Sequence, residues 1–512
     1  MTQAHAIKRH TNPRWTVRVA LMLGVFALHT LAFAQAGLNN LWMGGFDSDG
    51  PPPFGGVDLN FMSGELEVSF FQRNIGFRRT AANITNTQGE LLFSTNGAFV
   101  ANASGDTMLN GAGLNPSWYT SQYPEGLSIP QAVLIVPKPE DPDIYYLLHS
   151  TIDDWVTTIG LYLYVSVIDM SEEGDLGAVV LKNQVLINDS FNYGKLSSVR
   201  HANGRDWWVY CHRSNSNSFH RLLVTPEGID VEGVQSIGIV RTPDGGQTGF
   251  SPDGSKFVYY WGDDGLEVFD FDRCSGLFSD PRFTVVEEYA NGTGAAFSPN
   301  GRFVYISTTF DVFQYDTEAP DLATSEVHIA HWDSTYSPFP PFAALFSNMQ
   351  LAPDGKIYIG TGNGTDVLHV IHNPDEPGLA CNLEQHGIQL ERYFSNSLPN
   401  HPNYHLGPVD GSVCDSLGIN VGVVPPLSLG EGPGVRAYPN PNNGAFMLSY
   451  AAQPIRGVLE VRNTAGQLVL REPLPQWSTV HHVELQAAPG MYHAQVRWGT
   501  VSTSTRLILA EP

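Results

Sequence analysis

A short phrase recurs along the central part of the chain, and this repeat constrains the fold more than any other feature. Three copies begin at Gly249, Ala295 and Met349 and read GFSPDGSKFVYYWGDDGLEVFDFD, AAFSPNGRFVYISTTFDVFQYD and MQLAPDGKIYIGTGNGTDVLHVI. In each copy an Asp-Gly or Asn-Gly turn precedes alternating apolar and polar residues, which predicts β-hairpins whose two central turn residues have positive φ. The turn residues are Asp253, Gly254, Asn300, Gly301, Asp354 and Gly355.

The spacing of this phrase predicts the architecture. Weaker copies have their turns at Gly89, Asp143 and Gly204, and the average spacing is about 53 residues. That length matches one four-stranded blade of a β-propeller. The segment 35–408 holds close to seven such units. We therefore predict an all-β protein in which a β-propeller, with seven blades rather than six or eight, precedes a small C-terminal antiparallel β-sandwich.

Only six blades are visible as copies of the phrase. We expect the seventh to combine strands from both chain ends, near residues 57–61 and after Gly387. Closing the ring in this way would remove exposed strand edges. A large β-sandwich and a β-helix are the alternatives. They fit less well because sandwich repeats are rarely so regular and a β-helix has a much shorter period.

The N-terminus has the layout of a secretory signal peptide. Four basic residues precede an apolar run from Val19 to Ala34, which closes on a small-x-small pattern. The run is shorter than the roughly 20 residues that span a bilayer, which favours a signal peptide over a membrane anchor. We expect cleavage between Ala34 and Gln35, export of the protein, and no membrane span in the mature chain.

The C-terminal part reads as a separate unit after a Pro- and Gly-rich linker. The predicted domains are a signal peptide (1–34), a propeller (35–410), a linker (411–436) and a C-terminal domain (437–512). In the last domain, strand-length runs alternate with Asn-Gly, Ala-Gly and Pro-Gly turns, as in a small sandwich. A generic fibronectin-like accessory domain is the alternative to a specialised one.

The phrases of this C-terminal domain resemble the type A sorting domain of the bacterial type IX secretion system. The residues that carry the resemblance are Tyr438, Pro439, Asn440, Pro441, Gly444, Gly466, Pro489, Gly490 and Tyr492. The resemblance implies a source in the Bacteroidota and, as partners, the type IX translocon and its sorting machinery. It also implies that the protein is released or attached at the outer-membrane surface.

The propeller region resembles a region found in secreted Bacteroidota proteins, some of them described as gliding-associated, and is similar to YVTN-type propellers. Phrases such as QLAPDGKIYIG and SLPNHPNYHLGPVDGSVCDSLG carry the resemblance. It implies a fold and a location but no activity.

The net charge of the chain limits the classes of partner that it can bind. The chain has 27 Lys and Arg against 51 Asp and Glu, a net charge of −24, and such a surface repels phosphate backbones. We therefore expect no nucleic-acid partner.

The four cysteines of an exported protein allow three pairings. Cys381 and Cys414 flank the end of the large domain and are the favoured pair, although buried free thiols are nearly as consistent with the sequence.

No linear motif predicts a catalytic site or a cofactor. His401 and His405 have a metal-ligand spacing, but Pro402 argues against a helix that would present both on one face. The acidic turns 47–50 and 263–265 could bind calcium, yet neither continues into a twelve-residue calcium loop. Calcium therefore stays an unsupported option, and no catalytic, cofactor or metal residue is assigned.

Three functions are compatible with these observations. The favoured one is a non-catalytic binding or adhesion propeller at the cell surface, with an unknown extracellular glycan or protein as its ligand. The alternatives are an extracellular polysaccharide- or peptide-degrading hydrolase or lyase, and a structural component of the surface or gliding machinery. Propeller enzymes gather catalytic residues from several blades in the central funnel. Carboxylates, or His with a Tyr, in that funnel would favour an enzyme, whereas an apolar plug would favour binding.

Overall fold

The computed structural model describes most of the chain beyond residue 36. The described ranges are 37–154, 156–243, 245–286, 293–337, 342–412, 414–415, 436–438, 444–450, 455–474, 480–499 and 501–509. The chain divides into two compact units, residues 1–415 and 416–512. Among the described residues, no helix has the length and apolar character needed to cross a membrane. The predicted cleavage site, Ala34 and Gln35, lies outside the described residues.

The described strands of the first unit form seven consecutive antiparallel groups, the blades, of which the second and third are joined into one eight-stranded sheet by a single parallel pairing of Ala178 with Leu109. Blade 1 comprises β1 (Leu41–Gly44), β2 (Gly56–Asn60) and β3 (Glu67–Phe71); blade 2 comprises β4 (Ala82–Thr85), β5 (Leu91–Thr95), β6 (Phe99–Asn102) and β7 (Thr107–Ala112). Blade 3 comprises β8 (Val133–Pro137), β9 (Ile144–His149), β10 (Ile159–Asp169) and β11 (Ala178–Asn192); blade 4 comprises β12 (Ser197–Arg200), β13 (Trp207–His212), β14 (Ser216–Thr225) and β15 (Gly228–Arg241).

The other three blades repeat the same four-stranded plan. Blade 5 comprises β16 (Gln247–Phe250), β17 (Lys256–Trp261), β18 (Gly265–Asp272) and β19 (Leu277–Thr284); blade 6 comprises β20 (Gly294–Phe297), β21 (Phe303–Ser307), β22 (Asp311–Asp316) and β23 (Val327–His331). Blade 7 comprises β24 (Met349–Leu351), β25 (Ile357–Ile359), β26 (Gly364–Ile371) and β27 (Leu383–Ser395). In the described ranges the helical segments are short: α1 (Trp118–Gln122) and three single 3₁₀ turns (Glu173–Asp175, Ala323–Ser325 and Gly378–Cys381).

The strand order confirms the predicted seven-bladed propeller. The first strands of blades 4 to 7 lie side by side around an axis, as do those of blades 1 to 3. Blade 1 contacts blade 7 through β2 and β27, which closes the ring. Each blade-to-blade connection lies on one face, here called the connection face. The turn between the first and second strands of each blade from 2 to 7 lies on the opposite face, the turn face.

In each buried strand, successive side chains pack alternately against the two neighbouring blades. In β17, Phe257 and Tyr259 pack with the side chains of blade 4, such as Trp208. Val258 points the other way and packs with blade 6, for example against Val304. Since successive residues of a strand face opposite sides, an apolar run such as FVYYW fills two interfaces. This explains why these strands are apolar without interruption.

The turns lie between first and second strands, but their conformation differs from the prediction. Gly254, Gly301 and Gly355 have φ near +70° to +80°, whereas the Asp or Asn before each of them does not have positive φ. In blade 5, the amide of Gly254 donates to the carbonyl of Ser251, and Asp253 Oδ1 accepts from the amide of Ser255. These are longer turns with one left-handed glycine, because the side-chain oxygen of the preceding residue bonds the following amide.

The blade that we expected to combine strands from both chain ends is blade 1, and its expected composition is wrong. Residues 57–60 do lie in its strand β2. The chain after Gly387, however, forms the outer strand of blade 7 as far as Ser395. Only then does it run beside β1: the hydroxyl of Ser397 accepts from the amide of Gly45 (3.3 Å). Pro399 and Pro402 lack the N–H groups that a ladder needs, so this segment lies along blade 1 without joining its sheet.

We call residues 396–415 the tail. It enters the ring from the connection face beside blade 7, passes down the axis, and ends on the turn face, where the amide of Val409 donates to the carbonyl of Ala202. There Cys414 forms a disulfide with Cys274 of the β18–β19 hairpin.

The predicted pairing of Cys381 with Cys414 is therefore wrong. Cys381 is a buried free thiol of the blade 6–blade 7 interface, and Cys211 is also buried and free. Cys381 and Cys414 are close in the sequence but do not pair, because the tail carries Cys414 through the ring and away from blade 7.

The second unit is a small sandwich. One sheet has the order β28 (Arg436–Tyr438), β29 (Ala445–Ser449) and β32 (Val480–Glu484); the other has the order β31 (Leu468–Leu474), β30 (Gly457–Asn463), β33 (Gly490–Trp498) and β34 (Val501–Leu509). Residues from both sheets form its core, among them Leu448, Val461 and Val496. The predicted β-sandwich is confirmed.

The residues of the sorting motifs lie at the strand ends of this unit. Tyr438 ends β28, Gly490 begins β33 after Pro489, and the hydroxyl of Tyr492 donates to the carbonyl of Ala488 (2.6 Å). Gly444 has φ of +107°, and a Cβ there would lie 2.7 Å from the carbonyl oxygen of Leu485, so only glycine fits. Gly466 occupies the β30–β31 turn; Pro439, Asn440 and Pro441 lie outside the described residues.

Candidate functional site

A cavity of about 550 Å³ lies where the first strands of the blades converge with the tail. Its rim, which includes Pro252, Pro353 and His405, belongs to the turn face. Its polar lining consists of Asn39, Asn40, Gln131, Ser197, Ser198, Gln247, Thr248, Gln350, Asn400, His401, Asn403 and His405. Its larger apolar side chains are Phe61, Met62, Leu134, Phe250, Val258, Phe297, Met349 and Leu351.

The lining is electrically neutral at neutral pH. Among the described residues that form it there is no Asp, Glu, Lys or Arg, although the chain as a whole carries a net charge of −24. The described lining also contains no tyrosine. A paired-carboxylate mechanism of the kind that glycosidases use requires two acidic groups facing each other, and these residues do not supply them.

Hydrogen-bonded amides close the cavity towards the connection face. Gln131 Nε2 donates to the carbonyl of Thr248 (2.8 Å) and to Oδ1 of Asn400 (3.2 Å), while its Oε1 accepts from the amide of Thr248 (2.9 Å). Asn400 Nδ2 donates in turn to the carbonyls of Val133 and Leu196, both at 2.9 Å. One chain of amides thus links blade 5, the tail, and blades 3 and 4.

A second set of amides completes this floor. Gln247 Nε2 donates to the carbonyl of Met349 (2.6 Å), and its Oε1 accepts from the amide of Ala295 (3.1 Å). Gln350 Nε2 donates to the carbonyl of His401 (3.3 Å). Gln131, Gln247, Gln350 and Asn400 also line a chamber of only about 20 Å³ on the other side. We call these four side chains the amide floor.

Two polar groups in the cavity wall have no protein partner. They are Oγ of Ser198 and Nδ1 of His401, both on side chains more than nine-tenths buried. His401 Nε2 lies 2.7 Å from the carbonyl oxygen of Asn83, which can only accept, so Nε2 carries the proton and Nδ1 is a free acceptor. Burial lowers the pKa of His401 to about 4, which keeps the ring neutral. Neither atom has accessible surface, so both lie behind the surface of the cavity and a group inside the cavity does not reach them.

The structure places both histidines of the predicted pair at the cavity, on the irregular tail. His405 Nε2 lies 3.1 Å from Oδ1 of Asn39, and burial lowers the pKa of His405, assisted by the charge of Arg200. Among the described residues, no three His, Cys, Asp or Glu side chains are grouped so that they could hold a metal ion. The acidic turns 47–50 and 263–265 are outside the cavity lining.

Sequence reasoning missed the amide floor and Ser198. A signal for them exists at the start of the first strands, where an apolar residue would be expected in a propeller core. Ser197 and Gln247 stand seven residues before the turn glycine of their blades, as does Asn348 of the small chamber. Polar residues at one repeat position of an innermost strand indicate that this level of the axis is hydrogen-bonded rather than apolar.

Comparison with known proteins identifies the second unit and leaves the first without a close relative. Residues 436–510 match the family model described as the secretion system C-terminal sorting domain, which confirms the predicted sorting domain. Comparison with curated proteins finds no significant match.

Among solved structures, the chain is similar to "a putative 6-phosphogluconolactonase" from Bacteroides fragilis, with 12% identity, a TM-score of 0.41, and coverage of 70% of this chain and 97% of that one. It is also similar to a functionally unknown protein from Desulfotomaculum acetoxidans, with 13% identity, a TM-score of 0.38, and coverage of 71% and 99%. Scores at this level assign no activity, and the strand order itself defines the ring.

Proposed function

We propose that this protein is exported and that its propeller binds an uncharged, hydroxyl-rich ligand, a neutral saccharide, in the axial cavity without altering it chemically. The observation that carries the proposal is the composition of the cavity lining. Amides, hydroxyls, two imidazoles and apolar side chains form it, and the described lining residues carry no charged group.

These groups match the surface of a neutral sugar. Amides and hydroxyls both donate and accept, as sugar hydroxyls do. Partly exposed apolar side chains such as Phe250, Met62 and Leu351 offer surfaces against which the C–H groups of a sugar ring can pack. Ligand cavities typically combine apolar walls with a few fixed polar groups in this way.

Charge argues against an ionic ligand. A carboxylate or sulfate in this cavity would lose its hydration shell without meeting a cation from the described lining, and burying an unpaired charge is costly. The overall charge of −24 would also repel an anionic polymer on approach. A peptide with charged side chains or termini is disfavoured for the same reason.

The sorting domain supports export by a type IX secretion system and association with the cell envelope. We propose that the signal peptide carries the chain into the periplasm and that residues 437–512 direct it to the cell surface. Deleting 437–512 is expected to retain the propeller in the periplasm of the host, as measured by fractionation. Unchanged surface display would contradict the routing.

Binding can be tested with the purified full-length protein on a panel of neutral oligosaccharides, with uronic-acid-containing and sulfated oligosaccharides as matched charged probes. We expect retention of at least one neutral probe, no retention of charged probes, and no released product. Leu351→Ala removes a partly exposed apolar side chain of the cavity and should weaken the retention, whereas Leu379→Ala, which is exposed and outside the lining, should leave it unchanged. Product release would indicate a hydrolase or lyase, and exclusive binding of charged probes would contradict the proposal.

A further inference from the structure

We infer that the axial cavity recognises the terminal unit of a saccharide chain and does not bind the interior of a polymer. This inference rests on the proposed function and names the part of the glycan that the same site takes. It follows from the amide floor, which makes the cavity a cup with one mouth.

The floor blocks passage along the axis. The four amides of the floor line both the large cavity and the small chamber behind it, so they stand between the two. They are tied to backbone groups of blades 3 to 7 and of the tail, for example from Asn400 to the carbonyls of Val133 and Leu196 and from Gln247 to the carbonyl of Met349. A chain that entered from the turn face could not continue to the connection face without breaking these bonds.

The size of the cavity agrees with a short chain end. A volume of about 550 Å³ lies within the range of roughly 300–1,000 Å³ that small-ligand sites use. An extended polymer bound along its length would instead need an open groove with an exit at each side.

Matched linear and cyclic probes test this inference on the full-length protein. Maltoheptaose and β-cyclodextrin contain the same number of glucose units, but the cyclic one has no ends; linear and cyclic β-1,2-glucans form a second pair. By calorimetry or competition, we expect a linear member to bind at least about tenfold more tightly than its cyclic partner, a difference of about 1.4 kcal/mol.

The negative results of this experiment distinguish end recognition from saccharide binding. Equal affinity for the linear and cyclic members of a bound pair would overturn end recognition and leave saccharide binding intact. Failure of these pairs together with the whole neutral panel would overturn both.

A variant links the end preference to this cavity. Leu351→Ala removes a partly exposed apolar side chain of the cavity wall. We expect about a fivefold to tenfold loss of affinity for the linear probe, with Leu379→Ala, which is 74% exposed and outside the lining, as the control. If Leu351→Ala binds the linear probe as the wild type does, the preferred end is not held in this cavity and the inference fails.

Discussion

The tail covers the first strands of blades 1 to 4 more completely than those of blades 5 to 7. Along blades 1 to 4 the tail covers the first strands, and its polar groups bond their backbone: Asn400 reaches Val133 and Leu196, and the hydroxyl of Tyr404 donates to the carbonyl of Ile135 (2.9 Å). Along blades 5 to 7 the tail is bonded at isolated points, such as the bond from Gln350 Nε2 to the carbonyl of His401, and these blades supply most of the larger apolar side chains of the cavity.

This difference shows what the tail contributes. Where the tail lies, the inner strands are held by a segment from the far end of the chain. Along blades 5 to 7 the tail leaves more of the first strands open, so more of the cavity lining comes from these blades than from blades 1 to 4.

Removing the disulfide should have the largest effect, because it frees the end of the tail from blade 5. Cys414→Ser opens a crosslink across 140 residues, for which chain entropy gives a destabilisation of up to about 5 kcal/mol. The measurement is denaturant unfolding of the propeller, with and without reductant. Reductant should destabilise the wild type but not the variant. A matched Cys381→Ala variant should keep its sensitivity to reductant, and loss of that sensitivity would place the bond elsewhere.

Asn400→Ala should have the next largest effect. It leaves the carbonyls of Val133 and Leu196 and one side of Gln131 without partners, at a cost of about 2–4 kcal/mol by chemical denaturation. Asn403→Ala, which removes one exposed bond to the carbonyl of Pro252, is the control and should cost less than about 1 kcal/mol. Equal costs for the two variants would mean that the tail does not fasten blades 3 and 4 at this point.

Acidification should weaken the ring through histidines that fold uncharged. Burial lowers the pKa of His401 to about 4, below its ordinary value near 6.5, so below pH 6.5 the unfolded chain takes up a proton that the folded state refuses. The free energy of unfolding therefore falls as pH drops from about 6.5 to about 4. His401→Gln should reduce this slope by up to about 1.4 kcal/mol per pH unit. An unchanged slope would mean that His401 is protonated in the folded state.

Ser198→Ala should have the smallest effect on stability. The hydroxyl is buried and has no partner, so its removal should change the free energy of unfolding by no more than about 0.5 kcal/mol. A larger loss by chemical denaturation would show that the hydroxyl supports the packing around the first strand of blade 4.

The sequence predicted the ring well because its information is local. The strands and turns of each blade are encoded within its own segment of the sequence, and the turn phrase that ends at Gly254, Gly301 and Gly355 recurs at a regular spacing. The conformation of these turns was predicted less well, since side-chain bonds such as that of Asp253 to Ser255 select a longer turn than the dipeptide alone suggests.

The site could not be predicted because it depends on contacts between distant segments. Gln131 meets Thr248 and Asn400 only after the ring has closed. The tail reads as an irregular Pro-rich end, and nothing local in it indicates passage through the axis. The same path explains the wrong disulfide, since it brings Cys414 to Cys274 on blade 5 rather than to Cys381 on blade 7.

The path of the tail also sets a time order for folding. The last contacts of the ring join residues that are 318 positions apart, His401 with Asn83, and 366 apart, His405 with Asn39. Such separations slow folding, because a large loop must close before its contacts can form. Because synthesis proceeds from the N-terminus, the ring can be sealed only after nearly all of the large domain has been made. A chain truncated before residue 396 should therefore form an open, protease-sensitive array.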